Sequence, residues 1–157
     1  MVITVIGELC DDIFVYGETK RLSPEAPVPV FNPIHTETNR GMAGNVVENL
    51  MALDKTLTIN FIHQNSLITK TRYVDDKSNH MFMRVDVENE IDELVMTEDV
   101  IRTITDSDAV IVSDYHKGFL SEKTVNEICY YSKFSVTDTK KLIGTLSLSC
   151  FDFVKIK

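Results

Sequence analysis

Arg21-Leu22-Ser23-Pro24-Glu25-Ala26-Pro27-Val28-Pro29-Val30, followed by Gly41-Met42-Ala43-Gly44-Asn45, is the stretch on which the reading of this chain turns. Prolines at 24, 27, 29 and 33 remove backbone donors at four places. Such a segment does not fit the middle of a sheet and suits an exposed edge or a lid. The strand-like pieces beside it, Ile13-Phe14-Val15-Tyr16-Gly17 and Val28-Pro29-Val30-Phe31, are β-branched and aromatic but interrupted by turn residues. Beyond it, apolar residues at 46, 47, 50, 51 and 53 form one face of a helix over 44–53. Asn45 then stands at or near the N-terminus of that helix.

Working outward, Val2-Ile3-Thr4-Val5-Ile6-Gly7 is a short apolar run ending in Gly, as a buried parallel strand would be. Similar runs at 57–62, 108–114, 134–137 and 151–156 predict further strands. Thr97 followed by Glu98 and Asp99 opens one capped helix, and Ser121 opens another through about Tyr131. Residues 66–73 and 80–87 flank a polar turn, Asp75-Asp76-Lys77-Ser78-Asn79, and predict a hairpin. The strand–helix alternation implies an α/β fold, a mainly parallel sheet layered with helices. The Pro-rich strands and the hairpin add a small β-lid, about 13–35 and 66–87. We expect a single domain over 1–157, without internal repeat or linker.

Composition narrows the function classes. Sixteen basic residues against 24 acidic ones give a net charge of −8, which opposes binding to nucleic acid and to an anionic membrane surface. The acids are scattered and read as a solvated surface. The three cysteines (10, 129 and 150) lack C-x-x-C spacing and read as reduced core or near-core thiols. His35, His63, His80 and His116 show no metal-ligand pattern, so no metal site is expected. The chain starts directly on a strand, and no apolar stretch approaches bilayer-spanning length. A soluble, cytoplasmic protein is expected.

Polar clusters follow three of the predicted strands: residues 8–12, 114–118 and 138–140. Ligands gather at the carboxyl ends of parallel strands in doubly wound folds, so a site is expected there. The residues resemble, motif by motif, the ribokinase (PfkB)-type sugar kinases, and within them the heptose-phosphate kinase domain of bacterial ADP-heptose synthases. Gly7-Glu8-Leu9-Cys10-Asp11-Asp12 matches G-D-x-x-x-D with Glu8 replacing the first acid. Residues 21–29 match R-x-S-P-E-A-P-V-P. Residues 41–45 match G-G-A-x-N with Met42 at the second glycine. Thr69-Lys70-Thr71-Arg72 and Arg84-Val85-Asp86 match T-K-x-R and R-x-D. Ser113-Asp114-Tyr115-His116-Lys117-Gly118 matches S-D-Y-x-K-G, and Asp138-Thr139-Lys140-Lys141 is a weakened D-P-K-G.

The resemblance implies a substrate site made by Asp12, Gly41, Asn45, Lys70, Arg72, Arg84, Asp86, Asp114 and Lys117. Asp12 would accept sugar hydroxyls, and Lys70, Arg72 and Arg84 would suit a sugar phosphate. A solvent-facing hairpin of alternating charge is the plainer reading of the last three. The resemblance covers nearly the whole chain but about the front half of the family domain. An extra strand–helix segment of the family is reduced to a connector between 62 and 68. The family's anion hole, aspartate base and adenine pocket have no counterpart in these residues, and no phosphate-loop motif replaces them. We therefore expect no catalytic residue here, with ATP and magnesium entering only through a complementing half. The ending on a strand at 156–157 favours a natural truncation. Three readings stay open: a sugar-phosphate-binding protein without transfer of its own, a kinase completed by a separate half, and an interaction module. The family's lid strands pair as a β-clasp, which implies a homodimer.

Overall fold

The computed structural model describes residues 1–141 and 148–156. Its main sheet joins β1 (Val2–Gly7), β4 (Thr58–Ile62), β7 (Ala109–Asp114), β8 (Ser135–Thr139) and β9 (Phe153–Ile156). The order is β4-β1-β7-β8-β9, and every pairing is parallel. Alternation along β1 sends its side chains to two cores. Ile3 and Val5 pack with Ala43 and Val47 of α1 (Ala43–Leu53). Ile6 packs with Ile104 of α2 (Glu98–Asp106) and with Val125 and Ile128 of α3 (Glu122–Tyr131). Each such apolar side chain, wholly removed from water, contributes about 1.5–3 kcal/mol. The α/β fold class read from the sequence is thus borne out, with helices on both faces of the sheet.

Both expected caps are present. Thr97 accepts from the Val100 amide at 3.3 Å and Ser121 from the Thr124 amide at 3.1 Å. At Gly7 the backbones of β1 and β7 approach closely: a Cβ there would lie 2.0 Å from the Ser113 carbonyl oxygen.

A second sheet, ordered β3-β2-β5-β6, forms the lid. It comprises β2 (Leu9–Leu22), β3 (Pro29–Met42), β5 (Ile68–Asp75) and β6 (Met81–Glu88). The β5–β6 hairpin lies where the sequence reading put it. The other two strands are longer than the 13–35 segment suggested, each of 14 residues. Gly17 and Pro33 read as breaks, yet the chain absorbs them in a register shift after Tyr16. A Cβ on Gly17 would meet the Asn32 carbonyl at 2.4 Å, so glycine admits the partner backbone there. β3 is the edge strand, which lets Pro29 and Pro33 forgo their amide bonds.

One expectation is corrected. Cys129 and Cys150, read as reduced thiols, form a disulfide, whereas Cys10 is free and buried. Their separation of 21 residues carries no recognisable spacing. The pairing arises because the C-terminal turn of α3 meets the 3-10 turn Leu148–Cys150, bringing the Cα atoms to 6.1 Å. No helix of the described residues is long and apolar enough to cross a membrane.

Candidate functional site

The three polar clusters converge at the carboxyl ends of β1, β7 and β8. Glu8, fully buried, organises them. Its carboxylate accepts the Tyr115 amide at 2.8 Å and the Lys117 amide at 3.0 Å, and its carbonyl accepts the Ala43 amide at 2.9 Å. A buried carboxylate is tolerable because charge-assisted bonds replace its water. Glu8 thereby ties the loop after β7 and the start of α1 to the end of β1. The Lys140 amide in turn donates to the Asp114 carbonyl at 3.1 Å, joining the third cluster.

Where β3 becomes α1, a cavity of about 320 Å³ opens. Asp12, Gly41, Asn45 and Lys70, all expected from the sequence, line it together. Asn39, Arg40 and Tyr115 line it as well and were not singled out. Gly41 must be glycine for Asp12 to stand where it does. A Cβ at 41 would lie 2.5 Å from Asp12 Oδ2 and 2.5 Å from Cys10 Sγ. Met42 has φ 55° and ψ −128°, a backbone that glycine adopts freely and a side chain strains.

The remaining expected residues are engaged elsewhere. The Arg72 guanidinium donates to Asp12 Oδ1 at 2.6 Å and lies over the Phe14 ring at 5.0 Å. Arg84 pairs with Asp86 at 2.8 and 3.0 Å on its own strand. In the ladder Arg84 stands opposite Arg72 and Asp86 opposite Lys70, so the four share one face of the lid. Asp114 does not line the cavity and forms a buried ion pair with Lys141, which also donates to the Leu120 carbonyl at 2.7 Å. Asp114 further accepts the Thr139 hydroxyl and the His116 amide, each at 2.9 Å. Lys117 reaches across to Glu88 at 2.6 Å.

Two groups beside the cavity are held in their neutral forms. Burial pushes the Cys10 thiol up from its ordinary value, with Asp12 adding to the effect. Burial, then the Asp138 charge, raises the Tyr115 phenol. Lys140 lies over the Tyr115 ring at 4.5 Å. Among the described residues no cluster of acids, histidines or cysteines has the arrangement of a metal site.

This architecture is that of the ribokinase-like kinases. The chain superposes on Arabidopsis thaliana ribokinase complexed with ribose and ATP with a TM-score of 0.55. That match has 10% identity and covers 98% of this chain and 59% of that one. On a carbohydrate kinase from Agrobacterium tumefaciens the score is 0.53, with 12% identity and coverage of 87% and 52%. These likenesses concern the fold.

The sequence narrows the class. The chain is 30% identical over 155 aligned positions to the bifunctional protein HldE of Nitrobacter hamburgensis, covering 78% of this chain and 32% of the relative. It is 29% identical over 155 positions to that of a Bradyrhizobium species, with the same coverages. No family model matches the chain. The chain has a ribokinase-like fold and is similar to the N-terminal portion of the HldE proteins. It spans about a third of the length of the curated relatives it matches.

Proposed function

We propose that the cavity between α1, β2, β3 and β5 is the acceptor-sugar site of a heptose-phosphate-kinase-like chain, and that it binds a sugar phosphate. The observation that carries this reading is the meeting of Asp12, Gly41, Asn45 and Lys70 around one opening. Asp12 Oδ2 offers an acceptor, and the Asn45 side-chain amide a donor and an acceptor, to sugar hydroxyls. In this reading Asp12 accepts sugar hydroxyls at the oxygen that Arg72 leaves open, Oδ2. Asp114 is held by Lys141. Neither acid is presented as a general base, so in this reading Asp12 binds the sugar and these residues transfer no phosphoryl group themselves. ATP and magnesium belong, in this proposal, to a complementing segment.

The experiment is calorimetric titration with heptose 7-phosphate, with and without ATP and magnesium. Binding that ATP does not change supports the reading. Absence of binding refutes it, and turnover of ATP would favour the alternative of a kinase complete in itself or with a partner.

The lid favours a further element, a homodimer. Its cavity-facing side carries Lys70, Arg72, Arg84 and Asp86, while Met83, Val85 and Val87 alternate to the opposite side beside Tyr73. That outer side is a groove of about 910 Å³, lined by Val15, Phe31, Tyr73, Phe82 and Met83 among others. Exposed apolar sheet faces of this extent mark association surfaces.

A further inference from the structure

We infer that Arg40 and Lys70 form the anion-recognising pair of this cavity and take the phosphate monoester of the bound sugar. The inference rests on the acceptor-site reading above and assigns a role that the motif comparison did not give to Arg40.

Lys70, Arg72 and Arg84 are the cations that the resemblance points to. The structure takes two of them out of play: Arg72 is committed to Asp12 and Arg84 to Asp86. The Lys70 side chain has neither a hydrogen bond nor an ion pair among the described residues, although it lines the cavity. Its neighbours in the ladder, Asp12 and Asp86, are the two acids already paired with arginines. Arg40 lines the same cavity and is likewise unpaired among the described residues. Asp11 stands opposite it in register, but no ion pair joins them.

The position of Arg40 is fixed by packing. A Cβ at Gly44 would fall 2.8 Å from Arg40 Cβ and 3.6 Å from its Cδ, so the arginine stem runs along the first turn of α1. No side chain caps that helix, and its first-turn amides add partial positive charge at the same end. The cavity therefore holds one neutralised carboxylate and two unneutralised cations, within a chain of net charge −8. A local positive focus in an acidic protein draws anions selectively. Arg40 supplies a planar fork and Lys70 a point charge, the combination that suits a phosphate monoester.

The test titrates wild type, R40Q and K70Q with heptose 7-phosphate, the unphosphorylated heptose and inorganic phosphate. Calorimetry gives affinities, and amide NMR shifts of Gly41 and Gly44 report the location. Arg40 is exposed and Lys70 partly so, and the melting curve of each variant checks folding. We expect the phosphorylated sugar to bind at least about tenfold more tightly than the neutral one. Each variant should lose about tenfold toward the phosphorylated sugar and keep its affinity for the neutral one. Equal binding of the two sugars, or variants indistinguishable from wild type, would overturn the clamp and leave the sugar site standing. If neither sugar binds while phosphate shifts Gly41 and Gly44 in wild type but not in R40Q, the clamp stands and the sugar reading fails. Silence with all three ligands removes both.

Discussion

Met42 occupies a backbone conformation, φ 55° and ψ −128°, that disfavours every residue with a Cβ, yet its side chain is buried beside Cys10 and Ile68. Two opposed effects act there. Positive-φ strain costs of order 1 kcal/mol or more, and burying the methionine returns about 1.5–3 kcal/mol. Packing wins, so the strained residue is tolerated. The two terms separate experimentally in the pair Met42→Ala and Met42→Gly. Both lose the side chain, but only glycine relieves the strain. At ordinary positions Ala→Gly destabilises; here Met42→Gly should be more stable than Met42→Ala by about 1 kcal/mol in urea unfolding. The ordinary order of the two variants would show that the backbone at 42 relaxes. At this scale the family resemblance pointed to Asp12, Gly41, Asn45 and Lys70, and these four line one cavity. Arg40 carries no motif signal, and its place at the cavity depends on its stem lying against Gly44. The resemblance also gave Asp114 to the ligand, and in the structure Lys141, from the weakened D-P-K-G stretch, closes on Asp114.

The α3 element is anchored at its start by an acid from a distant connector. Glu93 accepts the Thr124 hydroxyl at 2.8 Å beside the Ser121 cap. Hydrogen bonds from Ser121 and then Thr124 lower the Glu93 carboxyl below its ordinary value near 4.5. A folded-state value below the unfolded one stabilises the fold above pH 4.5, and that contribution is lost as pH falls through the lowered value. Thermal melts should therefore show Glu93→Gln less stable than wild type at neutral pH, with the gap closing below pH 4.5. A gap that stays constant with pH would place the effect in packing rather than in the charge. Elements with strong local signals were legible: the apolar β1 and β7, and the Thr97 and Ser121 caps. The 14-residue β2 and β3 were not, because Gly17 and Pro33 punctuate locally while tertiary pairing with β5 and a bulge override them. The Cys129–Cys150 bridge was invisible for a related reason, since only the crossover from β8 to β9 brings the two together.

Over the whole molecule, the two sheets have different work. The parallel sheet brings Tyr115, just after β7, to the cavity, and the lid turns a polar face to the cavity and an apolar face outward. Met83 is 54% exposed and Val87 47% exposed on that outer face. If a second copy covers it, wild type should sediment at twice 17.8 kDa. Met83→Glu should then sediment as a monomer with its fold intact. A wild type that stays monomeric at tens of micromolar would leave the lid face without this role. The fold class was readable because strand and helix periodicities agree along the chain. The outer face was less so, because its apolar residues alternate with the charged ones and read equally well as a solvated hairpin.

The measurement that bears most directly on the site is calorimetric titration of heptose 7-phosphate into wild type and Gly41→Ala. A methyl group at 41 would displace Asp12 from the cavity. We predict saturable binding to wild type, unchanged by ATP with magnesium, and its loss in a Gly41→Ala protein that still melts cooperatively. No heat with wild type, or equal affinity in both proteins, would contradict the assignment of this cavity as the sugar site.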